Sequence, residues 1–151
     1  MNLSPDGETF IKGWEQLRLT PYQDSAGKWT VGWGHRLYGA IPSSISEQQA
    51  EDYFLGDIDQ IADTIDFFNL PLSQQQFDAL TSFAFNAGTP ALKGSTLMKK
   101  VKLGDISGAG EEFEKWDHET VDGVLKENEG LKKRRIAERD IFLNGIYDSS
   151  H

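Results

Sequence analysis

The chain has 151 residues, of which 38% are hydrophobic, a formal net charge of −9 and no cysteine. This length is enough for one domain with a real core, or for two small lobes that share a long helix. The absence of cysteine excludes disulfides and thiolate chemistry. No apolar run is long enough to predict a membrane-spanning helix, so we expect no stable membrane insertion.

The acidic charge is concentrated in the middle of the chain. Between Leu37 and Leu92 there is no lysine or arginine, whereas the same span holds eight acidic residues. The rest is nearly neutral, with 16 acidic against 15 basic residues. Because phosphate binding needs a basic face, we expect no nucleic-acid partner. The one dense basic run, Lys132–Arg135, can be interpreted as a solvated helix turn near the end of the chain.

The first predicted helix covers residues 4–17. Ser4 suits an N-cap, and Pro5 suits the first helical position. Four apolar residues then follow at helical spacing: Phe10, Ile11, Trp14 and Leu17. From Arg18 to Leu37, within a predicted lobe of about residues 18–45, aromatic and β-branched residues lie among glycines, and Ser25–Gly27 is a turn signal. We therefore expect a small β lobe, built as an antiparallel hairpin or a three-stranded sheet.

A long helix is predicted after this lobe. Ser46 and Gln49 form a capping box, and a single apolar stripe runs on to near Asp66. Such a helix, over about residues 46–66, is typical of a spine that links two lobes. Pro71 breaks it, and a second capping box at Ser73 begins the helical part of the chain, about residues 73–145.

Within this helical part the boundaries follow local signals. The predicted elements are a helix from Ser73 that ends at Gly88–Pro90, a short basic helix at Ser95–Leu103, a helix over Ile106–Trp116, a polar loop at His118–Asn128 and a last helix at Leu131–Leu143. The predicted fold class is α+β and mostly helical, with a small N-terminal β lobe and a helical C-terminal lobe joined by a long helix. We expect residues 1–151 to form one domain.

Two carboxylates and a hydroxyl near the N-terminus suggest a chemistry. Glu15 stands at the end of the first helix, Asp24 at the entry to a glycine turn, and Thr30 on the returning strand. Taken singly, they suit an exposed helix glutamate, an Asx-turn residue and a plain strand residue. Taken together, two carboxylates in unlike surroundings suit glycoside hydrolysis, because one must hold a proton at neutral pH while the other is ionised.

The stretch around these residues resembles the active-site signature of the phage-type lysozymes, also called endolysins or muramidases. That signature is a helix ending in Glu-Gly-Leu-Arg-Leu, then Tyr-x-Asp, a glycine turn and Thr-x-Gly-x-Gly-His. Here residues 15–19 are Glu-Gln-Leu-Arg-Leu, 22–24 are Tyr-Gln-Asp and 30–35 are Thr-Val-Gly-Trp-Gly-His. Later blocks at 76–88, 94–97 and 116–139 agree in order, so the resemblance covers about Phe10 to Leu143.

The resemblance implies a phage-lysozyme-like fold and hydrolysis of the β-1,4 bond between N-acetylmuramic acid and N-acetylglucosamine in bacterial peptidoglycan, with inversion. It implies that Glu15 is the general acid and that Asp24 and Thr30 hold the attacking water. Arg134 is the first candidate for a charged partner of Glu15, and Arg135 is the second. Further candidates are Arg36, Phe85, Asn86 and Thr96 for binding sugar rings, and His35 as a structural support of the β lobe.

Two departures from the family pattern stand out. Gln16 occupies a position where the family usually has glycine, so we expect an altered turn after Glu15. The acidic middle segment is also atypical, because better-known members are basic and their substrate carries carboxylates. This charge works against electrostatic attraction to the cell wall, although it leaves the chemistry intact.

No metal or organic cofactor is expected. The three histidines, His35, His118 and His151, lack the spacing of zinc ligands. Residues Met1–Asp6 show neither the basic start nor the apolar core of a secretory signal. We therefore expect a monomer that is made in the cytoplasm of the host bacterium and acts on its wall.

Two other functions remain open from the sequence. One is a wall-binding or inhibitory module that kept the fold and lost the activity, which the loss of Glu15 or Asp24 would have favoured. The other is a lysozyme-like toxin or immune effector, in which the same chemistry serves a different biological role.

Overall fold

The computed structural model describes residues Met1–His151 and begins with helix α1, Pro5–Glu15. Ser4 caps this helix as predicted, since its side chain accepts a hydrogen bond from the Gly7 amide at 3.0 Å. The helix ends two residues before the predicted Leu17. The reason is the backbone of Gln16, which leaves the helical region at φ 57°, ψ 146°.

A three-stranded antiparallel sheet follows, so the second of the two predicted β arrangements is the one formed. Its strands, in spatial order, are β1 Arg18–Gln23, β2 Trp29–Gly32 and β3 His35–Arg36. A small apolar cluster of Val31, Ile45 and Ala50 packs the sheet against helix α2, Glu47–Phe67. The capping box at Ser46 and Gln49 is present, and α2 coincides with the predicted spine to within one residue at each end.

Five more helices complete the helical part. They are α3 Gln74–Ala87, α4 Thr89–Gly94, α5 Thr96–Lys102, α6 Ile106–Glu112 and α7 Glu129–Asn144. The sequence did not predict α4, because Gly88–Pro90 was interpreted only as a stop. Gly88 ends α3 at φ 96°, but Pro90 then lies in the first turn of α4, where a missing amide hydrogen costs nothing.

The segments before α7 differ most from the prediction. Helix α6 stops at Glu112 and continues as a 3₁₀ turn, Phe113–Lys115, rather than running to Trp116. The segment predicted as a loop is a β-hairpin of β4, His118–Val121, and β5, Val124–Glu127. Asp122 and Gly123 connect the strands with φ angles of 51° and 77°, as a type I′ turn requires.

The main core lies in the helical part, where 20 buried residues form one cluster that includes Phe10 and Ile11 of α1. Helix α3 runs through its centre, and every residue from Phe77 to Ala84 is buried. The predicted α+β, mostly helical fold class is confirmed. None of the helices combines the length and apolar character needed to cross a bilayer.

Candidate active site

A cleft of about 500 Å³ lies between the sheet, the end of α1, helix α3 and the β4–β5 hairpin. Six of the predicted site residues line it: Glu15, Asp24, Thr30, Arg36, Phe85 and Asn86. The folded chain therefore brings both carboxylates and the hydroxyl to one concave surface, although they come from three different elements.

Glu15 is held from two sides at the end of α1. Its Oε1 accepts a hydrogen bond from Nη1 of Arg134 at 2.6 Å, and its side chain is mostly buried. On the other side, the backbone of Gly34 comes so close that a Cβ there would lie 2.7 Å from Oε2. Gly34 also has φ 75°, so both space and conformation require glycine here. The carboxyl group is thus fixed before any substrate binds.

A buried charge network lies behind Glu15. Arg134 also contacts Glu138, with 3.4 Å between Nε and Oε2, and donates to the carbonyl oxygen of Ser82 at 3.3 Å. Glu138 is fully buried and faces Nε of Arg135 at 3.2 Å. Arg135 in turn donates to Oδ1 of Asn86. Burial lowers the pKa of the Arg135 guanidinium, and the charge of Glu138 opposes this effect.

Only two of the four residues in the basic run at 132–135 are therefore exposed to solvent. Lys132 and Lys133 are exposed, but Arg134 and Arg135 are 4% and 0% exposed, so the interpretation as a solvated turn is wrong for the two arginines. The structure joins Arg134, not Arg135, to Glu15. Sequence reasoning missed Glu138, although its spacing of four and three residues from the arginines on one helix was the available signal.

Asp24 both stabilises a turn and lines the cleft. Its Oδ1 accepts hydrogen bonds from the amides of Ala26 and Lys28, at 2.9 and 2.8 Å, which is an Asx turn. The interpretation of Asp24 as an Asx-turn residue is therefore correct. Because both hydrogen bonds of the turn go to Oδ1, Oδ2 is free to accept a hydrogen bond from a molecule in the cleft. The side chain is exposed at the edge of the cleft.

Thr30 lies deeper, on β2. It is buried, and its Oγ1 donates to the carbonyl oxygen of Lys28 at 3.0 Å. This bond uses the hydroxyl proton, so the oxygen is left to accept a hydrogen bond from a molecule in the cleft. Tyr22, its partner across the sheet, also lines the cleft. Burial and the nearby charge of Glu15 raise the pKa of the Tyr22 phenol, against the opposing charge of Arg18. Like any phenol, it is a hydrogen-bond donor at neutral pH.

Two other predicted residues lie outside the cleft. Thr96 lines a neighbouring cavity of about 450 Å³ that shares Trp116 and His118 with the cleft. His35 has its Nδ1 2.9 Å from Oδ2 of Asp57, and its ring stacks on Tyr53 with centroids 4.1 Å apart. These contacts join β3 to α2, as a structural support of the β lobe would.

The far wall of the cleft contains three residues that were not among the predicted site residues. Trp116, His118 and Glu119 line it, the last two from β4. The sequence pattern predicts a loop at His118–Asn128, so the position of this strand beside the cleft was not predicted. The Asp122-Gly123 pair, set between β-branched residues, was the signal that could have revealed the hairpin. No group of three or more His, Asp or Glu side chains has the arrangement of a metal site.

The chain is similar to known proteins over most of its length. The family model described as phage lysozyme matches residues 12–138. An endolysin of Acyrthosiphon pisum secondary endosymbiont phage 1 is 43% identical over 94% of this chain and 98% of its own length. An endolysin of Salmonella phage P22 is 33% identical over 95% of this chain and 99% of its own.

Among solved structures, the endolysin from Escherichia coli O157:H7 phage FAHEc1 superposes with a TM-score of 0.88 and 37% identity. The superposition covers 98% of this chain and 97% of that one. The family match spans most of the chain and includes Glu15, Asp24 and Thr30. The chain belongs to the phage lysozyme family, and it is a lysozyme-type glycosidase.

Proposed function

We propose that this protein hydrolyses the β-1,4 bond between N-acetylmuramic acid and N-acetylglucosamine in bacterial peptidoglycan, with inversion at the anomeric carbon. Membership of the family supports the coarser statement that it is a peptidoglycan hydrolase. The observation that carries the finer proposal is the pair of carboxylates in one cleft. Glu15 is clamped and mostly buried, whereas Asp24 is exposed and keeps one oxygen free.

Glu15 is the proposed general acid. Arg134 donates to Oε1, so the proton of the neutral carboxyl group belongs on Oε2, the oxygen beside Gly34. From there it passes to the glycosidic oxygen as the bond to the anomeric carbon breaks. The hydrogen bond from Arg134 also fixes the orientation of the carboxyl group in the cleft.

Asp24 and Thr30 are the proposed holders of the attacking water. Oδ2 of Asp24 is free to accept one hydrogen of the water, and Oγ1 of Thr30 can accept the other. The ionised carboxylate also lies near the positive charge that develops on the sugar ring. Inversion needs carboxyl groups about 6.5–9.5 Å apart, so that a water fits between the second carboxylate and the sugar.

The wall of a bacterium is the proposed place of action, and peptidoglycan is the proposed partner of a monomeric enzyme. The alternative of an inactive wall-binding module has less support, because both carboxylates are present and line the cleft. A toxin or immune effector would share the chemistry, and nothing in the site favours one of these roles.

The direct test is the release of reducing sugar from purified peptidoglycan by the wild type and by Glu15→Gln. We expect the variant to lose at least about 100-fold of the activity, since general acid catalysis typically contributes that much. The control is Glu111→Gln, which removes an exposed carboxylate on α6. Thermal melting confirms that each variant is folded. A folded Glu15→Gln protein that keeps more than about a tenth of the activity would contradict the assignment.

A further inference from the structure

Helix α7 carries a fully buried carboxylate, Glu138, which takes no direct part in the proposed reaction. It contacts two guanidinium groups, with 3.4 Å to Nε of Arg134 and 3.2 Å to Nε of Arg135. Ser82 of α3 donates its hydroxyl hydrogen to Oε2 of Glu138. Because a complete buried ion pair contributes little net stability, these contacts matter mainly for where they hold the two arginines.

The first arginine connects Glu138 to Glu15. Arg134 contacts Glu138 through Nε at 3.4 Å and Glu15 through Nη1 at 2.6 Å, so one guanidinium lies between the two carboxylates. The guanidinium is planar and rigid, so a contact that fixes Nε also fixes the direction in which Nη1 donates. The position of Glu138 therefore helps to set where Oε1 of Glu15 is held.

The second arginine connects Glu138 to Asn86. Arg135 is fully buried, its guanidinium lies 5.0 Å from the centre of the Phe83 ring, and it donates to Oδ1 of Asn86. Its Nε and Nη1 make no hydrogen bond, and Glu138 is the one carboxylate in contact with it. Without Glu138 this charge would be buried with no ion partner, and the arginine would have to move.

The contact with Arg135 determines which end of the Asn86 amide is free. A guanidinium has donors only, so it can face the amide only at the carbonyl oxygen. The NH2 group is left to donate to a molecule in the cleft, which Asn86 lines with an exposed side chain. An amide that is oriented before binding loses less entropy when it binds a substrate oxygen.

We propose that Glu138 is a positioning residue, which holds both arginines and thereby orients Glu15 and Asn86 toward one substrate. This inference rests on the proposed function, because it takes Glu15 as the general acid. It predicts that two kinetic constants change for two separate reasons. Orientation of the acid acts on kcat, whereas orientation of the binding amide acts on KM.

The test is Glu138→Gln, which keeps the shape of the side chain and removes its charge. Kinetics on soluble glycan strands are measured well below the melting temperature of the variant. We expect kcat to fall at least about tenfold, since a misplacement of about 1 Å can cost roughly 100-fold. KM should rise about threefold or more, because a hydrogen bond to the substrate is weakened.

A double-mutant cycle shows whether Glu138 acts through Asn86. Asn86→Ala alone should raise KM, and adding Glu138→Gln should raise it no further, because the amide that Glu138 orients is then absent. The fall in kcat should persist in the double variant, since the contacts of Arg134 are the cause of it. Increases in KM that multiply in the double variant would contradict the proposal.

Glu112→Gln is the matched control. Glu112 is also a buried glutamate between two cations, Lys100 and Lys115, but it pairs with neither Arg134 nor Arg135. Its replacement should lower the melting temperature and leave kcat and KM unchanged. If Glu138→Gln also changes only the melting temperature, Glu138 has a purely structural role and the proposal is wrong.

A binding measurement separates this proposal from the proposed function, because it needs no turnover. Calorimetry with a chitin tetrasaccharide should show about threefold weaker binding to the double variant Glu15→Gln, Glu138→Gln than to Glu15→Gln alone. If Glu138→Gln does not fold, Ser82→Ala takes its place, since it removes the hydroxyl donor to Glu138. A wild type that cleaves no glycan would refute the proposed function only, whereas equal affinities in this comparison would refute the role of Glu138.

Discussion

Arg134 is the residue through which helix α7 contacts the candidate active site. Its guanidinium contacts Glu15 at the cleft and Glu138 in the interior, and all three side chains are largely removed from water. A buried ion pair contributes little net stability while it is complete, because desolvation offsets the attraction. Removing one partner is costly, since the other is left as an uncompensated charge.

Arg134→Ala should therefore harm both stability and activity. We expect the free energy of unfolding to fall by about 3–5 kcal/mol, the usual cost of breaking a buried pair. Glu15 would also lose its orienting partner, so wall hydrolysis should drop even at a temperature where the variant stays folded. Urea denaturation and reducing-sugar release measure the two effects.

Arg134→Lys provides the control, because lysine keeps the charge but not the planar fork that reaches two carboxylates. It should recover part of the stability and less of the activity. An Arg134→Ala protein with the stability and activity of wild type would show that the pair with Glu15 is incidental.

At this scale the sequence predicted which residues meet in the cleft, and it did not predict the charge network behind Glu15. Glu15, Asp24 and Thr30 sit in a short motif, so local spacing was sufficient to bring them forward, and they line one cleft in the folded chain. Only the folded structure shows that Glu138 is buried between Arg134 and Arg135. A glutamate near two arginines on a helix is usually an exposed pair, and nothing local indicates that tertiary packing buries this one.

At the scale of elements, the ends of α1 and α3 share one backbone conformation. Gln16 has φ 57°, ψ 146°, and Gly88 has φ 96°, ψ 150°. This region is strained for any residue with a Cβ, at a cost of about 1–3 kcal/mol. The helix that carries the proposed general acid thus ends on a strained residue, where the family usually has glycine.

Gln16→Gly should stabilise the protein. Relief of backbone strain exceeds the extra chain entropy that glycine loses on folding, which leaves a net gain of about 1 kcal/mol. Urea denaturation measures it, and Gly88→Ala, which introduces a Cβ into the same conformation, should change stability in the opposite direction. A less stable Gln16→Gly protein would mean that contacts of the glutamine outweigh the strain.

The contact between α5 and α6 should depend on pH. Glu112 is buried, and hydrogen bonds from Lys100 and then Lys115, at 2.8 and 3.0 Å, lower its pKa below the ordinary 4.5 against the effect of burial. A carboxyl group whose folded pKa is lowered stabilises the protein above its ordinary pKa. That contribution disappears as the pH falls through the lowered value.

Thermal melting of wild type and Glu112→Gln as a function of pH tests the direction of this pH dependence. The variant should be less stable than wild type near neutral pH, and the difference should shrink as the pH falls below 4.5. A difference that stays constant over that range would mean that the glutamate acts through packing and not through its charge.

The elements were predicted where a cap or an apolar stripe marked them. Capping boxes located the starts of α2 and α3, and proline with a serine cap located α1. The β4–β5 hairpin was missed because every residue of β5 is exposed, so no apolar alternation marks the strand. Helix α4 was missed because proline can begin a helix as well as end one.

At the scale of the whole molecule, most of the net negative charge lies on α2, which holds seven acidic residues and no base. Asp59 and Asp63 are exposed on α2, and the span around them has no base. Peptidoglycan is anionic, so the enzyme approaches its substrate against a mean repulsion, which salt screens with a Debye length near 8 Å at physiological ionic strength.

Wall lysis should therefore hold or rise from low to moderate salt, between roughly 10 and 150 mM, over which the Debye length falls from about 30 to 8 Å. Turbidity of permeabilised Gram-negative cells follows the rate. The double variant Asp59→Asn, Asp63→Asn should show a flatter response. A steady fall in rate with salt would mean that bases near the cleft, and not the acidic helix, govern the encounter.

The products of a wall digest show most directly which bond the enzyme cleaves and how that bond breaks. Borohydride reduction followed by mass spectrometry identifies the new reducing ends, and early proton NMR of a soluble glycan digest identifies their anomer. We predict N-acetylmuramic acid at the reducing end, released first as the α-anomer. Reducing ends of N-acetylglucosamine, a 1,6-anhydro product or an initial β-anomer would contradict the proposed reaction.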